Sequence, residues 1–256
     1  MKSKLTVVKV GGAVAEDPQA LDEMLDAFVA IEGDKILVHG GGRSATTLAR
    51  RLGIEVNMID GRRVTDRAML EVVIMTYGGW VNKNIVAALQ SRGVNALGLT
   101  GADMSIIRAV RRAATPIDYG YVGDVREVNG TALKSLLDVE VTPVVAPLSY
   151  DGEGGILNTN ADTIASEVAC AMSREYDVTL IYCFELAGVM RDPDDADSLI
   201  PDITPGSYAE LKEQGVISGG MIPKLDNAFS SLSRGVSRVV ITRADSLTGG
   251  GTHIHL

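Results

Sequence analysis

Two glycine clusters near the start of the chain have the composition of anion-binding loops. Lys9 is followed closely by Gly11 and Gly12, and His39 is followed by the run Gly40-Gly41-Gly42. Each cluster lies just after a β-branched run, where glycine N–H groups can approach an anion and a helix N-terminus adds positive partial charge. One such cluster is as often a simple tight turn. Two of them, one with a lysine, favour a phosphate site.

An arginine pair and an asparagine-rich segment could bind a carboxylate. Arg62 and Arg63 follow Gly61, and an arginine fork matches a carboxylate with two parallel hydrogen bonds. A solvated surface pair is the competing interpretation. Asn158-Thr159-Asn160-Ala161-Asp162 opens a predicted helix, and capping alone would explain Asn160. Capping does not explain the second asparagine and the aspartate, which point to a ligand.

A second lysine lies at a glycine-rich helix start. Lys224 follows Gly219 and Gly220 within the segment Gly219-Gly220-Met221-Ile222-Pro223-Lys224. A lysine at this end of a helix is unfavourable for the helix dipole. Its position beside two glycines therefore hints at a phosphate ligand.

The Gly40 loop also fits a dinucleotide fingerprint. Gly40-Gly41-Gly42-Arg43-Ser44-Ala45 matches G-x-G-x-x-A, and Asp60 lies about 20 residues further on. An NAD(P)-dependent dehydrogenase is therefore an alternative, although a dinucleotide site gives no role to Lys9 or Lys224. The sequence contains neither a P-loop nor the protein-kinase motifs.

The histidines and cysteines do not form a recognisable catalytic or metal motif. His39, His253 and His255 are the only histidines, and we interpret them as structural or surface residues. Cys170 and Cys183 lie in apolar segments, so two buried thiols without a disulfide are predicted.

Apolar strand patterns alternate with helical patterns along the chain, which predicts a mainly parallel sheet covered on both faces. Predicted strands span 5–10, 35–39, 55–59, 95–100, 141–148, 178–184 and 238–242, the last being the final core strand. Predicted helices span 18–31, 43–52, 66–92 with a bend at Gly78-Gly79, 131–137, 161–174, 208–214 and 221–234. Segments 106–110 and 121–128 suggest an antiparallel hairpin, and 189–206 a loop. Ligands are expected at the carboxyl ends of the parallel strands.

Composition narrows the class of protein. The 256 residues are 46% hydrophobic and 22% charged, which is ordinary for a globular chain. A net charge of −9 argues against nucleic acid and anionic membranes as partners. No secretory signal and no apolar run of about 20 residues is visible, so a cytoplasmic protein is expected.

Taken together, these motifs resemble the amino acid kinase family, in the family's order and over nearly the whole chain. Gly-x-Arg-Val-Thr at 61–65 and Asn-x-Asn-Ala-Asp at 158–162 resemble most closely its branch that phosphorylates N-acetyl-L-glutamate. The resemblance implies an α/β fold, a three-layer αβα sandwich with a mainly parallel central sheet. It implies a single domain, residues 1–256, with an acyl-amino-acid lobe over 1–175 and a nucleotide lobe over 176–256.

The resemblance also implies roles for individual residues. Lys9 and Lys224 would flank the transferring phosphoryl group, and Asp162 would hold both lysines. The implied substrate-binding residues are Gly41, Gly42, Arg63, Asn158 and Asn160. The implied nucleotide-binding residues are Gly11, Gly12, Cys183, Gly188, Val216, Ile217 and Ser218. The turn Cys183–Gly188 departs from the D-V-x-G-like sequence that is usual in this family.

The implied reaction is ATP-dependent phosphorylation of a side-chain carboxylate in arginine biosynthesis. The acceptor would be N-acetyl-L-glutamate or N-succinyl-L-glutamate, and Arg62 or Lys83 could bind the extra succinyl carboxylate. Mg²⁺ would be held by the ATP phosphates, without protein ligands. A homodimer without arginine feedback is expected, since few residues precede the first strand. Besides the dehydrogenase, a non-catalytic sensor on the same fold remains an alternative.

Overall fold

A central eight-stranded sheet organises the protein. The computed structural model describes residues 2–59 and 61–256. The strands are β1 (Lys4–Val10), β2 (Asp34–His39), β3 (Met58–Ile59), β4 (Arg62–Arg63), β5 (Ala96–Leu99), β6 (Ile107–Arg111), β7 (Gly123–Val128), β8 (Thr142–Val145), β9 (Leu148–Tyr150), β10 (Ile156–Asn158), β11 (Asp177–Phe184), β12 (Asp202–Ile203), β13 (Arg238–Arg243) and β14 (Thr252–Ile254). The central sheet has the order β12-β14-β13-β11-β1-β2-β8-β5 and is parallel except between β13 and β14.

Helices cover both faces of this sheet. They are α1 (Gly12–Ala15), α2 (Pro18–Val29), α3 (Gly42–Arg51), α4 (Arg67–Val73), α5 (Asn82–Gln90), α6 (Gly130–Leu137), α7 (Ala161–Met172), α8 (Pro205–Glu213) and α9 (Met221–Ser233). Leu5 and Val7 of β1 join one core cluster with α6, α7 and α9, while Val8 and Val10 join another with α2 and α5. Side chains alternate between the faces of a strand, so the central strands bury both faces. The predicted α/β three-layer architecture is confirmed.

A smaller sheet stands beside the carboxyl edge of the central one. Its order is β10-β9-β6-β7, and β6 and β7 form the predicted antiparallel hairpin. A register shift between Arg108 and Ala109 marks a bulge, which bends the hairpin. Val122, just before β7, bridges Asn158 at the end of β10, so the asparagine-rich segment begins within the small sheet.

The long predicted helix is continuous but changes its winding. An α-helical first part, Arg67–Val73, runs into a π-helical segment, Ile74–Val81, and then into α5. Gly78 and Gly79, where we expected a bend, lie inside the π segment. Wide turns of this kind are uncommon and often occur at functional sites.

Short strands account for the errors in the predicted sheet. The segment 55–59 pairs only through Met58–Ile59, which runs antiparallel to Arg62–Arg63. The prediction that 238–242 is the final core strand is wrong, because β14 follows it and pairs antiparallel with β13. The predicted loop 189–206 contains β12. Strands of two or three residues are too short to show a period of two.

Among the described residues, no helix combines the length and the apolar composition that a bilayer crossing requires.

Candidate active site

The two glycine loops pack directly against each other at the carboxyl edge of β1 and β2. Gly11 N donates to Cys183 O at 3.0 Å, and Gly40 N donates to Val10 O at 3.0 Å. A Cβ on Gly40 would lie 2.9 Å from Gly12 N, closer than a side chain can approach backbone. Gly40 is therefore required by close packing, and the N-termini of α1 and α3 converge on one place.

A buried carboxylate holds two lysines beside these loops. Lys9 Nζ lies 2.7 Å from Asp162 Oδ1, and Lys224 Nζ lies 3.3 Å from Asp162 Oδ2. The three side chains come from β1, the first turn of α7 and the first turns of α9. The structure thus brings together the three residues to which the resemblance assigns catalysis.

The electrostatics of this cluster favour a bound anion. Burial by itself would raise the pKa of Asp162, but the ion pairs with Lys9 and Lys224 outweigh burial and lower the pKa. The carboxylate is therefore ionised at neutral pH. Two ammonium groups and one carboxylate leave a local charge of about +1, within a chain whose net charge is −9.

Arg63 is turned inward and Arg62 outward. The Arg63 side chain is buried, and its Nη2 donates to Gly42 O at 2.9 Å and to Thr46 Oγ1 at 2.8 Å. These bonds fix the guanidinium against α3, and Nη1 donates to Met69 Sδ at 3.9 Å. A guanidinium has five donors, so these three contacts do not use all of them. Arg62 is exposed. Both arginines line the same cavity.

The two asparagines have different tasks in the fold. Asn158 is buried, and its Nδ2 donates to Thr65 Oγ1 at 2.9 Å. Asn160 Oδ1 accepts from Thr163 N at 3.0 Å and caps α7. The capping interpretation of Asn160 is therefore correct for its side-chain oxygen. Asn160 also borders the cavity, so capping and ligand contact are compatible.

A cavity of about 370 Å³ joins these residues. All five residues predicted to bind the substrate line this cavity. Its lining residues include Gly41, Gly42, Arg63, Asn158 and Asn160, together with Arg62, Tyr77, Arg112, Asp124 and Glu167. Its size lies within the range of small-molecule sites, about 300–1,000 Å³.

Several residues that line the cavity were not indicated by any sequence motif. Tyr77 belongs to the π segment, and a Cβ on Gly41 would lie 2.7 Å from its ring. Arg112 Nε donates to Asp124 Oδ1 at 2.9 Å across the hairpin. The only available signal was the opposite charge of two residues on a predicted hairpin. Lys83, suggested for a second carboxylate, does not line the cavity, because its ammonium donates to Gly98 O at 3.1 Å.

None of the predicted nucleotide-binding residues lines this cavity. Cys183 is buried, and burial raises the pKa of its thiol to about 12. Its carbonyl oxygen already accepts from Gly11 N. Gly188 packs against β14, since a Cβ there would lie 2.6 Å from Thr252 Oγ1. The Ile217 side chain belongs to the core, whereas Ser218 is exposed just before α9. Contacts of these residues and of Val216 with a nucleotide stay a prediction.

None of the histidines or cysteines lines the cavity. His39 is fully buried, while His255 is exposed and contacts Asp202 at 2.7 Å. Cys170 and Cys183 are both buried free thiols, as predicted. Asp60, the acidic residue of the dinucleotide alternative, lies outside the described residues.

The chain is similar over nearly its whole length to proteins of one family. The model of the Amino acid kinase family matches residues 4–243. The acetylglutamate kinase of Phocaeicola vulgatus is 58% identical over 99% of both chains, and that of Bacteroides fragilis is 57% identical over 99% of this chain and 98% of its own. The crystal structure of smu.665 from Streptococcus mutans superposes with a TM-score of 0.79 and 30% identity, covering 98% of each chain. The chain belongs to the amino acid kinase family.

Proposed function

We propose that this protein transfers the γ-phosphoryl group of MgATP to the side-chain carboxylate of an N-acyl-L-glutamate, as a step of arginine biosynthesis. The observation that carries the proposal is the Lys9–Asp162–Lys224 cluster, which lies beside converging glycine loops. The acetylglutamate kinases that share more than half of this sequence support the same reaction.

The reaction needs alignment and charge neutralisation more than acid–base chemistry. A carboxylate oxygen forms a bond to the γ-phosphorus while the bond from that phosphorus to the bridging oxygen of ADP breaks. The acceptor is already ionised at neutral pH, so no proton has to be removed. Lys9 and Lys224 reduce the repulsion between the two anions, and Asp162 keeps the ammonium groups apart at fixed positions.

Mg²⁺ belongs to the nucleotide in this scheme. Asp162 is committed to two lysines, which leaves no free carboxylate oxygen pair for a metal in the cluster. The chemistry of the donors therefore fits an ion carried by the ATP phosphates, which supplies further neutralisation when bound.

Release of ADP tests the proposed function. Folded protein with MgATP is supplied with N-acetyl-L-glutamate, N-succinyl-L-glutamate or neither, and the acyl phosphate is trapped with hydroxylamine. Turnover that requires one acceptor and yields the trapped product is expected. Absence of turnover with both acceptors, in protein shown to be folded, would contradict the proposal. An increase in the unfolding temperature with NAD but not with MgATP would instead favour the dehydrogenase alternative, which the related proteins do not support.

The choice between the two acyl groups depends on the rim of the cavity. Arg62 is exposed there, whereas Arg112 is already paired with Asp124. Arg62 is thus the better candidate for a succinyl carboxylate. Comparison of kcat/KM for the two acceptors identifies the acyl group. If succinyl is preferred, Arg62→Ala should lower kcat/KM for that acceptor alone.

Arg63→Lys should raise KM for the acceptor by about 10- to 100-fold with a smaller change in kcat. A lysine cannot bond Gly42 O and Thr46 Oγ1 and still present a fork to the α-carboxylate. Steady-state kinetics with the acceptor varied would measure this effect. Arg67→Lys is the control, since Arg67 is 74% exposed at the start of α4. An unchanged KM in Arg63→Lys would remove this arginine from the substrate site.

We also propose a homodimer formed through α3 and the π segment. Exposed apolar side chains there include Trp80 and Met75, which are 69% and 50% exposed, and they border a depression that Leu48 also lines. An apolar surface of this kind is typical of an interface. Trp80→Glu should convert dimer to monomer in analytical ultracentrifugation, while Val139→Glu, at an exposed apolar residue elsewhere, should not. A wild-type monomer at micromolar concentration would contradict the dimer.

A cytoplasmic location and insensitivity to arginine complete the proposal. The buried free thiols are compatible with a reducing compartment. Adding L-arginine to the ADP-release assay should leave the rate unchanged.

A further inference from the structure

A fully buried histidine lies directly behind the second glycine loop. His39 ends β2, and its Nδ1 lies 2.6 Å from Gly40 O. Its Nε2 lies 3.1 Å from Asn82 Nδ2, and the same nitrogen of Asn82 donates to Val144 O at 2.9 Å. None of these residues belongs to the proposed catalytic cluster.

The hydrogen bonds determine which ring nitrogen carries the proton. Val144 O can only accept, so the group of Asn82 that faces it must be the NH₂, and its second N–H points at His39. His39 Nε2 must then be the acceptor, and Nδ1 must carry the proton and donate to Gly40 O. Burial lowers the pKa of His39 to about 4, against a smaller opposing effect of the bond to Gly40, so the ring is neutral at pH 7.

This bond orients a peptide group of the loop. In a trans peptide the carbonyl and the N–H point in opposite directions. Because Gly40 O is held on the His39 ring, the N–H of Gly41 must point away from the ring. The Gly41 and Gly42 nitrogens lie 3.7 and 3.6 Å from where a Cβ on Gly12 would stand, at the junction of the two loops. No acceptor for the Gly41 N–H occurs among residues 2–59 and 61–256.

A peptide between glycines needs such a restraint. Glycine lacks the Cβ that would limit backbone rotation, so the Gly40–Gly41 peptide could adopt either orientation at little cost. The reversed orientation would direct the carbonyl oxygen towards the bound phosphate and would repel it. A donor contributes most to catalysis when its orientation is fixed before the reaction.

We infer that His39 and Asn82 are positioning residues that fix the Gly40–Gly41 peptide, so that the Gly41 N–H faces the transferring phosphoryl group. This inference rests on the proposed phosphoryl transfer. It assigns a function to a histidine that has no direct contact with the cavity.

The tautomer can be measured without substrate. The chain has three histidines, so ¹⁵N-labelled histidine gives a simple long-range ¹H–¹⁵N spectrum, and the His39 signal is identified by its loss in a His39 variant. A neutral ring protonated at Nδ1 is expected. Protonation at Nε2 would overturn the inference, whatever the activity of the enzyme.

Steady-state kinetics then test whether the bond from His39 to Gly40 O contributes to kcat. His39→Asn and His39→Leu introduce side chains with the same branching at Cγ, but only asparagine keeps a donor near the position of Nδ1. We expect His39→Leu to lower kcat by about 10-fold or more, since losing one fixed donor costs up to 10²–10³-fold, with KM for MgATP little changed. His39→Asn should recover most of that loss. The control is His255→Leu, at an exposed histidine.

Two results would overturn the inference: a folded His39→Leu enzyme with wild-type kcat, or a His39→Asn enzyme as slow as His39→Leu. If His39→Leu does not fold, Asn82→Leu replaces it, because the ring then loses the donor that keeps Nε2 unprotonated. Wild-type kcat in Asn82→Leu would equally overturn the inference that Asn82 and His39 orient the Gly40–Gly41 peptide. An inactive wild-type enzyme would instead refute the proposed function, while the tautomer would still report the orientation of the peptide.

Discussion

Lys9→Ala is expected to lower kcat by about 10²–10³-fold, the loss typical of removing one preorganised charged donor. The Lys9 ammonium is buried 2.7 Å from Asp162 at the end of β1, where water cannot replace it. Without it, the carboxylate acceptor and the γ-phosphate meet with one cation fewer between them. The fold should persist, because Asp162 keeps its ion pair with Lys224.

A lysine on the same strand provides the control for this experiment. Lys4 begins β1 and is exposed, so Lys4→Ala should leave both kcat and stability unchanged. Circular dichroism and thermal unfolding establish that each variant is folded before the kinetics are compared. Turnover near the wild-type rate in folded Lys9→Ala would remove this lysine from the catalytic cluster.

Asp162→Asn should impair both catalysis and stability. The amide cannot neutralise two ammonium groups, so Lys9 and Lys224 would repel each other at the place where both are needed. Losing the anion of a buried ion pair typically costs about 3 kcal/mol in the free energy of unfolding. We expect kcat to fall by about 10²-fold or more, because neither lysine would keep its position.

The cost to stability should depend on pH in a defined direction. The pKa of Asp162 is lowered in the folded protein, because the two ion pairs outweigh burial. Its contribution to stability is therefore present above the unfolded pKa of about 3.9 and is lost as pH falls through the folded pKa. The difference in free energy of unfolding between wild type and Asp162→Asn should be largest near neutral pH and should shrink in acid.

Urea unfolding at several pH values measures this difference. Asp197→Asn, in an exposed part of the loop between β11 and β12, is the control and should show little effect at any pH. A difference between wild type and Asp162→Asn that stays constant down to acid pH would show that the carboxylate is not held by the lysines.

The sequence predicts those parts of this site that depend on local chemistry. Asn160 caps its helix as expected, because capping involves only residues three positions away. The two glycine loops were also predictable, since each follows a strand of five or more residues with a clear apolar pattern. The ion pairs of Asp162 were predicted only through the family resemblance, because strand and helix periodicity do not specify how β1, α7 and α9 approach one another.

Other features depend on tertiary structure that no local pattern encodes. Tyr77 reaches the cavity because the helix changes to π winding at Ile74–Val81. The Arg112–Asp124 pair depends on the register of a bulged hairpin. Lys83 looked suitable by charge alone, yet it lies at Gly98 because α5 packs along β5.

The position of β1 in the sheet has a consequence for biosynthesis of the enzyme. This N-terminal strand pairs with β2 on one side and with β11 on the other, in a register that sets Lys4 opposite Asp177. The ribosome releases β1 and β2 long before β11. The edge of β1 that pairs with β11 therefore has no partner strand until β11 has been synthesised. Such distant pairing slows folding. Because Lys9 lies on that strand and Lys224 follows more than 200 residues later, no nascent chain that ends before Lys224 contains the complete charge cluster.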